Sequence, residues 1–406
     1  MKEFLKKFIP SFLLSWYHFL LAFLGTILYW FPSKKLKVIG LTGTNGKTTA
    51  VEMISKILEE AGFKVASLSS IKFKIGEKEW PNTLKMTMPG RLKLQRFLRL
   101  AVNFGCQYAV LEVTSEGIKQ HRHQFINFDI AVLTNLTPEH IEAHGSFEKY
   151  REAKGKLFHA TKSIHIINLD DENAEYFLKF PANKKYTCGL NKGDINTQNT
   201  QFKLNLIGDF NIYNALAAIC VGLSQGINLE TCKSVLEKIE VIPGRMEEVI
   251  YEPFKVFVDY AFTPNALEKV YQTIRQSIVN SQKSKVICVL GACGGGRDKW
   301  KRPVLGEIAA KYCDEVVATN EDPYDENPME IIEQVANGCK EKAKKILDRR
   351  EAIREALKLA KQNDVVIITG KGCEPWICVA KGKKIPWDDR QVVKEEFNNL
   401  QLTTND

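Results

Sequence analysis

Residues Thr42-Gly43-Thr44-Asn45-Gly46-Lys47-Thr48-Thr49 carry chemistry in their types and spacing. Gly43 and Gly46 let successive backbone N–H groups turn toward one anion, and the start of a helix adds its positive dipole end. A lysine at the sixth position reaches the β- and γ-phosphates of a nucleotide, and the hydroxyl after it suits Mg²⁺. The loop needs a buried strand before it and a helix after it. The apolar run 36–41 and the amphipathic run 50–58 supply both. ATP with Mg²⁺ is therefore the expected ligand of Gly43, Thr44, Asn45, Gly46, Lys47, Thr48 and Thr49.

Other chemical groups fall at the ends of further strands. Glu112 closes the apolar run 108–113 and is placed to orient Mg²⁺ with Thr48. His140 follows the run 130–135 and is expected on the same rim as a third metal-side group. Lys154 lies on a helix predicted over 148–159, where its basic neighbours read as a solvated face. Two more glycine turns follow strands further on. Residues 291–299 include Arg297 but lack the spacing and ribose acid of a dinucleotide site, which argues against NAD. Gly370-Lys371-Gly372-Cys373-Glu374 presents a cation beside an anion, as a zwitterionic ligand would require.

Strands and helices alternate from residue 36 onward, which predicts an α/β protein built on parallel sheets. Strands are expected at 108–113, 130–135 and 164–168, and a helix over 211–224. The polar stretch 181–205 reads as irregular, with a short hairpin. Pro243-Gly244-Arg245 marks a boundary, beyond which strands at 256–259, 286–291, 315–319 and 365–370 form a second series. The organisation is thus a hydrophobic N-terminal helix (1–35), a P-loop-type central ATPase domain (36–242) and a C-terminal Rossmann-like domain (243–406). A chain of 406 residues accommodates this.

Apolar content of 44% and charged content of 26% fit a folded protein, so wholesale disorder is excluded. The net charge of +9 is scattered rather than striped with aromatics, which argues against nucleic-acid binding and suits anionic substrates or a membrane surface. Ten cysteines contain no CxxC pair, which argues for reduced thiols rather than a zinc ribbon. Residues 11–31 carry no formal charge apart from His18, and lysines flank both ends. That length suffices either to span a bilayer or to lie on it; burial against the rest of the protein is the competing reading. A cleaved signal peptide fits poorly, because no small-residue cleavage site follows. With an ATP loop next in the chain, the expected location is the cytoplasm, at the inner face of the cytoplasmic membrane if the segment is membrane-bound.

The ordered motifs resemble the Mur ligases of peptidoglycan and cell-wall synthesis, specifically the MurE type, over residues 36–390. The resemblance rests on the loop, Glu112-Val113-Thr114-Ser115, Gln120-His121-Arg122, Thr134-Asn135-Leu136-Thr137 with His140, and Tyr150 with Ala153-Lys154. It continues through Gly208 to Asn214, Pro243 to Glu247, Asp259-Tyr260-Ala261, Arg297 to Pro303, Thr319 to Pro323 and Gly370 to Glu374. It implies an ATP-dependent acid–amino acid ligase that adds an amino acid to a muramoyl-peptide precursor through an acyl phosphate. It further implies catalytic roles for Lys47, Glu112, His140 and Lys154, the last carbamylated. Asn214 and Arg245 would contact the nucleotide. Thr87, Thr114, Gln120 and Arg122 would hold the muramoyl-peptide. Arg297, Glu321, Asp322, Tyr324, Gly370 and Glu374 would face the amino acid.

The departures bear on substrate. Met88, Glu116 and Phe262 replace polar residues of the family pattern. Tyr324 stands where an arginine reads the far carboxylate of meso-diaminopimelate, and loss of that bidentate clamp disfavours this substrate in favour of lysine or another amino acid. The phosphate loop starts at residue 42, which leaves no room for the family's UDP-gripping N-terminal domain of about a hundred residues. The acceptor is then expected as a UDP-linked or a lipid-linked precursor. The alternative is a MurT-like subunit that activates a carboxylate for a separate amidotransferase, a type that usually carries the zinc ribbon this chain lacks.

Overall fold

The computed structural model describes residues 10–84, 86–278 and 284–404. The chain falls into two compact units. The first comprises Met1–Pro138, Phe147–Asn205 and Phe210–Ile239; the second comprises Glu139–Ser146, Leu206–Asp209 and Glu240–Asp406.

In the first unit, strands β1 (Lys37–Thr42), β2 (Val65–Leu68), β3 (Lys72–Ile75), β4 (Lys78–Pro81), β5 (Tyr108–Glu112), β6 (Ile130–Leu133), β7 (Ile164–Asn168) and β8 (Lys184–Cys188) form one sheet. Its order is β4-β3-β2-β5-β1-β6-β7-β8; β2, β5, β1, β6, β7 and β8 pair in parallel, and at one edge β3 runs the opposite way between β2 and β4. The central strands are rich in aliphatic residues and buried except for Lys37 at the start of β1, as strands covered on both faces must be. β1 lies between β5 and β6, so the loop after it opens at the point where the strand order reverses, the usual ligand position in such sheets. β8 corrects the expectation for 181–205. A polar edge strand has one side in solvent and therefore lacks the apolar run that reveals a central one.

Helix α1 spans Ser11–Leu28 and ends in Trp30 and Phe31, both with positive φ. Ala22 and Thr26 on its inner stripe are buried, and a Cβ on Gly25 would press on Leu92. Leu92 belongs to a neighbouring helix, Arg91–Asn103, whose Arg99 donates to the carbonyls of Tyr29 and Trp30 at 2.7–2.9 Å. Ser15 meets His121 at 2.8 Å, and Phe19 and Phe23 pack on Phe125. No helix among the described residues is long and apolar enough to cross a membrane, which corrects the spanning alternative.

In the second unit, β9 (Glu247–Ile250), β10 (Lys255–Asp259), β11 (Val286–Leu290), β12 (Glu315–Thr319), β13 (Ala343–Ile346) and β14 (Val365–Thr369) make a sheet of order β13-β12-β11-β14-β10-β9. Only β9 runs antiparallel to its neighbour. A two-stranded hairpin, β15 (Trp376–Val379) and β16 (Lys383–Pro386), stands apart from it. The strand ends are locked together by one arginine. Arg349 binds Asp389 through two bonds of 2.7–2.8 Å and donates to the carbonyls of Thr369 and Asn320. Both ionic partners are fully buried.

Breaking that pair leaves a guanidinium buried without its counter-charge. Asp389→Ala is expected to lower unfolding stability by about 3–5 kcal/mol, whereas a double Arg349→Met, Asp389→Leu variant loses much less. Urea unfolding measures both; equal losses would remove the ion pair from this account.

Candidate active site

The first unit's loop is braced from three sides. From the end of β6, Thr134 Oγ1 donates to the Asn45 carbonyl at 2.7 Å. Asn135 accepts from Asn45 N at 2.9 Å and donates back to its carbonyl at 3.0 Å. Thr44 N donates to the Asn135 carbonyl, and Thr44 Oγ1 bonds Thr137 and Tyr150. From helix Phe210–Ser224, Asn214 presses against Gly46, where any Cβ would overlap its amide oxygen; Gly46 is also left-handed at φ 82°. From helix Phe147–Ala160, Lys154 donates to the Gly43 carbonyl at 2.7 Å. Lys47 folds onto the same carbonyl at 3.0 Å and onto that of Thr44 at 2.9 Å.

Lys154 is buried, which corrects the solvated-face reading. Tyr150, Lys154 and Leu157 recur at helical spacing on the inward stripe of their helix. Burial, then the nearby Lys47 ammonium, holds the Lys154 amine well below its usual range. Two ammonium groups on one carbonyl repel, and that repulsion works in the same direction as burial.

Thr48 Oγ1 donates to Glu112 Oε1 at 2.6 Å. The strand register explains the meeting, since Leu41 pairs with Glu112 one residue before the loop. Glu112 also accepts from Ser70 N at 2.9 Å and Ser70 Oγ at 3.2 Å, and Ser70 Oγ bonds Thr87 at 2.8 Å. One carboxylate and one hydroxyl fit Mg²⁺, which takes few protein oxygens and completes its shell with phosphates and water. No cluster of three or more His, Cys, Asp or Glu side chains suited to a metal occurs among the described residues. His140 lies in Glu139–Ser146, which belongs to the second unit, with a left-handed backbone. Glu139 in that segment makes a buried 2.6 Å ion pair with Lys301, and Asp298 accepts from the backbone of Ile141 and Glu142.

Arg122 donates to the carbonyl of Met88, the residue after Thr87, and, at 2.8 Å, to Gln120 Oε1. Gln120 in turn donates to Glu116 at 2.6 Å. The Thr114 hydroxyl caps its own short helix through Gly117 N. Arg91 donates to the Gln120 carbonyl; burial and the like charge of Arg122 lower its pKa to about 10.

The second unit gathers a separate cluster. Lys371, fully buried, binds Asp322 at 3.0 Å and Glu374 at 2.5 Å. Tyr260 donates to Glu374 at 2.8 Å, and the Arg245 guanidinium lies over the Tyr260 ring. Cys293 donates to Glu321 at 2.8 Å, and burial raises the pKa of that carboxyl. A Cβ on Gly370 would crowd Glu321, and one on Gly295 would crowd the Tyr324 ring. Tyr324 is left-handed at φ 52°, and its amide is fixed by the Cys378 carbonyl at 3.1 Å. Arg297 lies on the loop after β11, and the neighbourhood of Cys293, Tyr324, Tyr260 and Asp322 raises its pKa against the effect of burial. Ser70, Thr134, Asn135, Tyr150 and Lys371 were not singled out as site residues from sequence. Only the glycine-flanked Lys371 and the strand-end Thr134-Asn135 carried a local signal.

Residues 41–222 match the Mur ligase middle domain, and 244–372 match the Mur ligase, glutamate ligase domain. A UDP-N-acetylmuramoyl-L-alanyl-D-glutamate–2,6-diaminopimelate ligase from Syntrophomonas wolfei is 39% identical, over 92% of this chain and 81% of its own. The chain belongs to the Mur ligase family. It is accordingly an ATP-dependent ligase that forms amide bonds. A UDP-N-acetylmuramyl-tripeptide synthetase from a Roseiflexus species is 34% identical, over 94% of this chain and 82% of its own. A solved UDP-N-acetylmuramoyl-L-alanyl-D-glutamate–2,6-diaminopimelate ligase superposes with a TM-score of 0.59 at 29% identity, covering 90% of this chain and 79% of that one. Folylpolyglutamate synthase from Mycobacterium tuberculosis shares the fold, with a TM-score of 0.70 at 16% identity, over 87% of this chain and 92% of that one.

His123, next to Arg122, is buried, and burial followed by His121 and Lys156 lowers its pKa from 6.5 to about 4. Between those values the unfolded chain holds the proton and the folded chain does not, so the fold loses stability as pH falls through that window. The loss from this group between pH 7 and pH 5 is about 2 kcal/mol. Denaturant titrations of the wild type and His123→Asn should differ in pH slope by that amount; parallel slopes would contradict it.

Proposed function

We propose that the protein joins an amino acid other than meso-diaminopimelate to a muramoyl-peptide acceptor through an acyl phosphate. The observation that carries this reading is the Thr48–Glu112 contact beside the braced loop, with Thr87 linked to it through Ser70. An acceptor carboxylate oxygen attacks the γ-phosphorus and ADP leaves. The incoming amine then attacks the acyl carbon, loses a proton and expels phosphate. Lys47 and the loop N–H groups stabilise charge on the transferring phosphoryl group. Thr48 and Glu112 hold Mg²⁺, which neutralises phosphate charge when bound. His140 serves the same chemistry, and Asn214 and Arg245 contact the nucleotide.

Thr87, Thr114, Gln120 and Arg122 hold the acceptor, whose carrier is UDP or a lipid. Arg297, Glu321, Asp322, Tyr324, Gly370 and Glu374 face the amino acid. Asp322, Lys371 and Glu374 supply a buried charge pattern for an amino acid's own two charges. Tyr324 is neutral, so a second distal carboxylate finds no guanidinium at that position.

Purified protein with ATP and Mg²⁺ should release phosphate and form product only when the acceptor is present, tested as UDP-linked and lipid-linked muramoyl-dipeptide separately. Lysine and other amino acids should outrun meso-diaminopimelate, and Lys47→Ala should lower the rate by about 10³-fold or more. Strong preference for meso-diaminopimelate, or an active Lys47→Ala, refutes the reading.

Lys154 adds CO₂ in this scheme. Its neutral amine attacks the carbon and releases a proton, and the side chain becomes a carbamate anion beside the loop. The lowered pKa supports this, because only the unprotonated amine reacts. Activity should fall in buffer stripped of CO₂ and recover with bicarbonate. A ¹³C-carbamate signal should appear in the wild type and vanish in Lys154→Gln; its absence from the wild type ends the carbamate assignment.

A further inference from the structure

Of the twenty-two large apolar side chains exposed among the described residues, eleven lie between residues 12 and 31. Along α1 they are Phe12, Leu13, Trp16, Tyr17, Leu20, Phe23, Leu24, Ile27 and Leu28, a stripe that repeats every three or four residues. Trp30, the most exposed at 80%, and Phe31 extend it. A patch of this size on one element is a docking surface rather than the ordinary scatter of exposed apolar residues.

We propose that this face seats the first unit on an anionic lipid surface, with α1 lying in the plane of the interface. Three observations commit it to that occupant. First, α1 cannot leave the protein to cross a bilayer without giving up its inner stripe: the Ser15–His121 bond, the Phe19 and Phe23 contacts with Phe125, and buried Ala22 and Thr26. Second, the elements flanking the patch are rich in cations. Lys34 and Lys35 follow α1, and Lys34 sits 5.0 Å from the Phe31 ring centre. On the adjoining helix Arg91–Asn103, Leu92, Arg96 and Arg99 share the side turned to α1, spaced at helical periodicity. No acidic residue occurs in 10–51 or 80–111, so α1 and its adjoining helix offer anionic headgroups nothing to repel them, and the one acid of the 115–125 segment that packs on α1, Glu116, accepts from Gln120. Third, Trp16, Tyr17 and Trp30 are the residue types that settle at a membrane–water boundary. A second copy of the chain fits worse, because a two-fold contact sets the same cationic rim against itself.

This inference goes beyond the ligase reading, and its readout does not depend on catalysis. Full-length protein is sedimented with vesicles of phosphatidylcholine, with and without phosphatidylglycerol, at low and high salt. The expected result is binding to the phosphatidylglycerol vesicles at least about a hundredfold tighter than to phosphatidylcholine alone, weakened by salt, with a blue shift of tryptophan emission. Trp16→Ser, Leu20→Ser and Leu24→Ser together should weaken binding at least about tenfold. Lys34→Gln, Lys35→Gln and Arg96→Gln together should remove the preference for anionic lipid. Unchanged melting temperatures certify that both variants fold. No vesicle binding, equal binding to both compositions, or a dimer in light scattering that the serine variant dissolves would each overturn the proposal.

Discussion

A hydroxyl at the start of one helix and a carboxylate at the end of the neighbouring strand meet at 2.6 Å, and the candidate site is organised around that meeting. Parallel register makes it possible, because β1 and β5 end level and the loop after β1 turns back over the tip of β5. A one-residue slip would point Glu112 to the other face of the sheet. The loop's own conformation is equally constrained. Gly43 and Gly46 adopt backbone angles other residues resist, and Thr134 and Asn214 occupy the space a side chain would need there. Loop, helix start and strand tip therefore form one preorganised surface in the first unit.

The two units handle buried charge differently. In the first, Lys154 approaches Lys47, and burial together with that like charge disfavours its protonated form. In the second, Lys371 keeps two carboxylate partners and Arg349 keeps one, with carbonyls filling the remaining donors. A neutral amine is a nucleophile, whereas a paired cation is an electrostatic fixture. Chemistry and positioning are thus separated by whether a counter-charge is supplied.

The sequence disclosed those parts of the molecule whose signal is local. The phosphate loop was legible because glycine spacing, a lysine and a flanking strand and helix occur within about twenty contiguous residues. Glu112 was legible as an acid ending an apolar run. Ser70 carried no signal, since it is an ordinary polar residue until the sheet brings it to Glu112, and Asn135 and Tyr150 entered only as motif residues without a site role. Lys154 looked like one of several basic residues on a helix, although only its position falls in line with Tyr150 and Leu157. The edge strands β8 and β13 escaped notice because lysines and other polar residues interrupt them where solvent covers one side. The apolar run from residue 11 forms the helix Ser11–Leu28, but composition alone left open whether it spans, lies flat or packs. The helix it forms is not long and apolar enough to cross a membrane, and the contacts of its inner stripe hold it to the protein.

The segment Glu139–Ser146 is bracketed in sequence by the first unit and folded with the second. Its Glu139 is the buried counter-ion of Lys301, and its backbone amides are held by Asp298. A fragment expressed from residue 240 onward would therefore retain an interior lysine and lose the acid that neutralises it. The carboxyl-terminal half is not a detachable cassette, and any recombination that swaps it between relatives has to carry this eight-residue loan along.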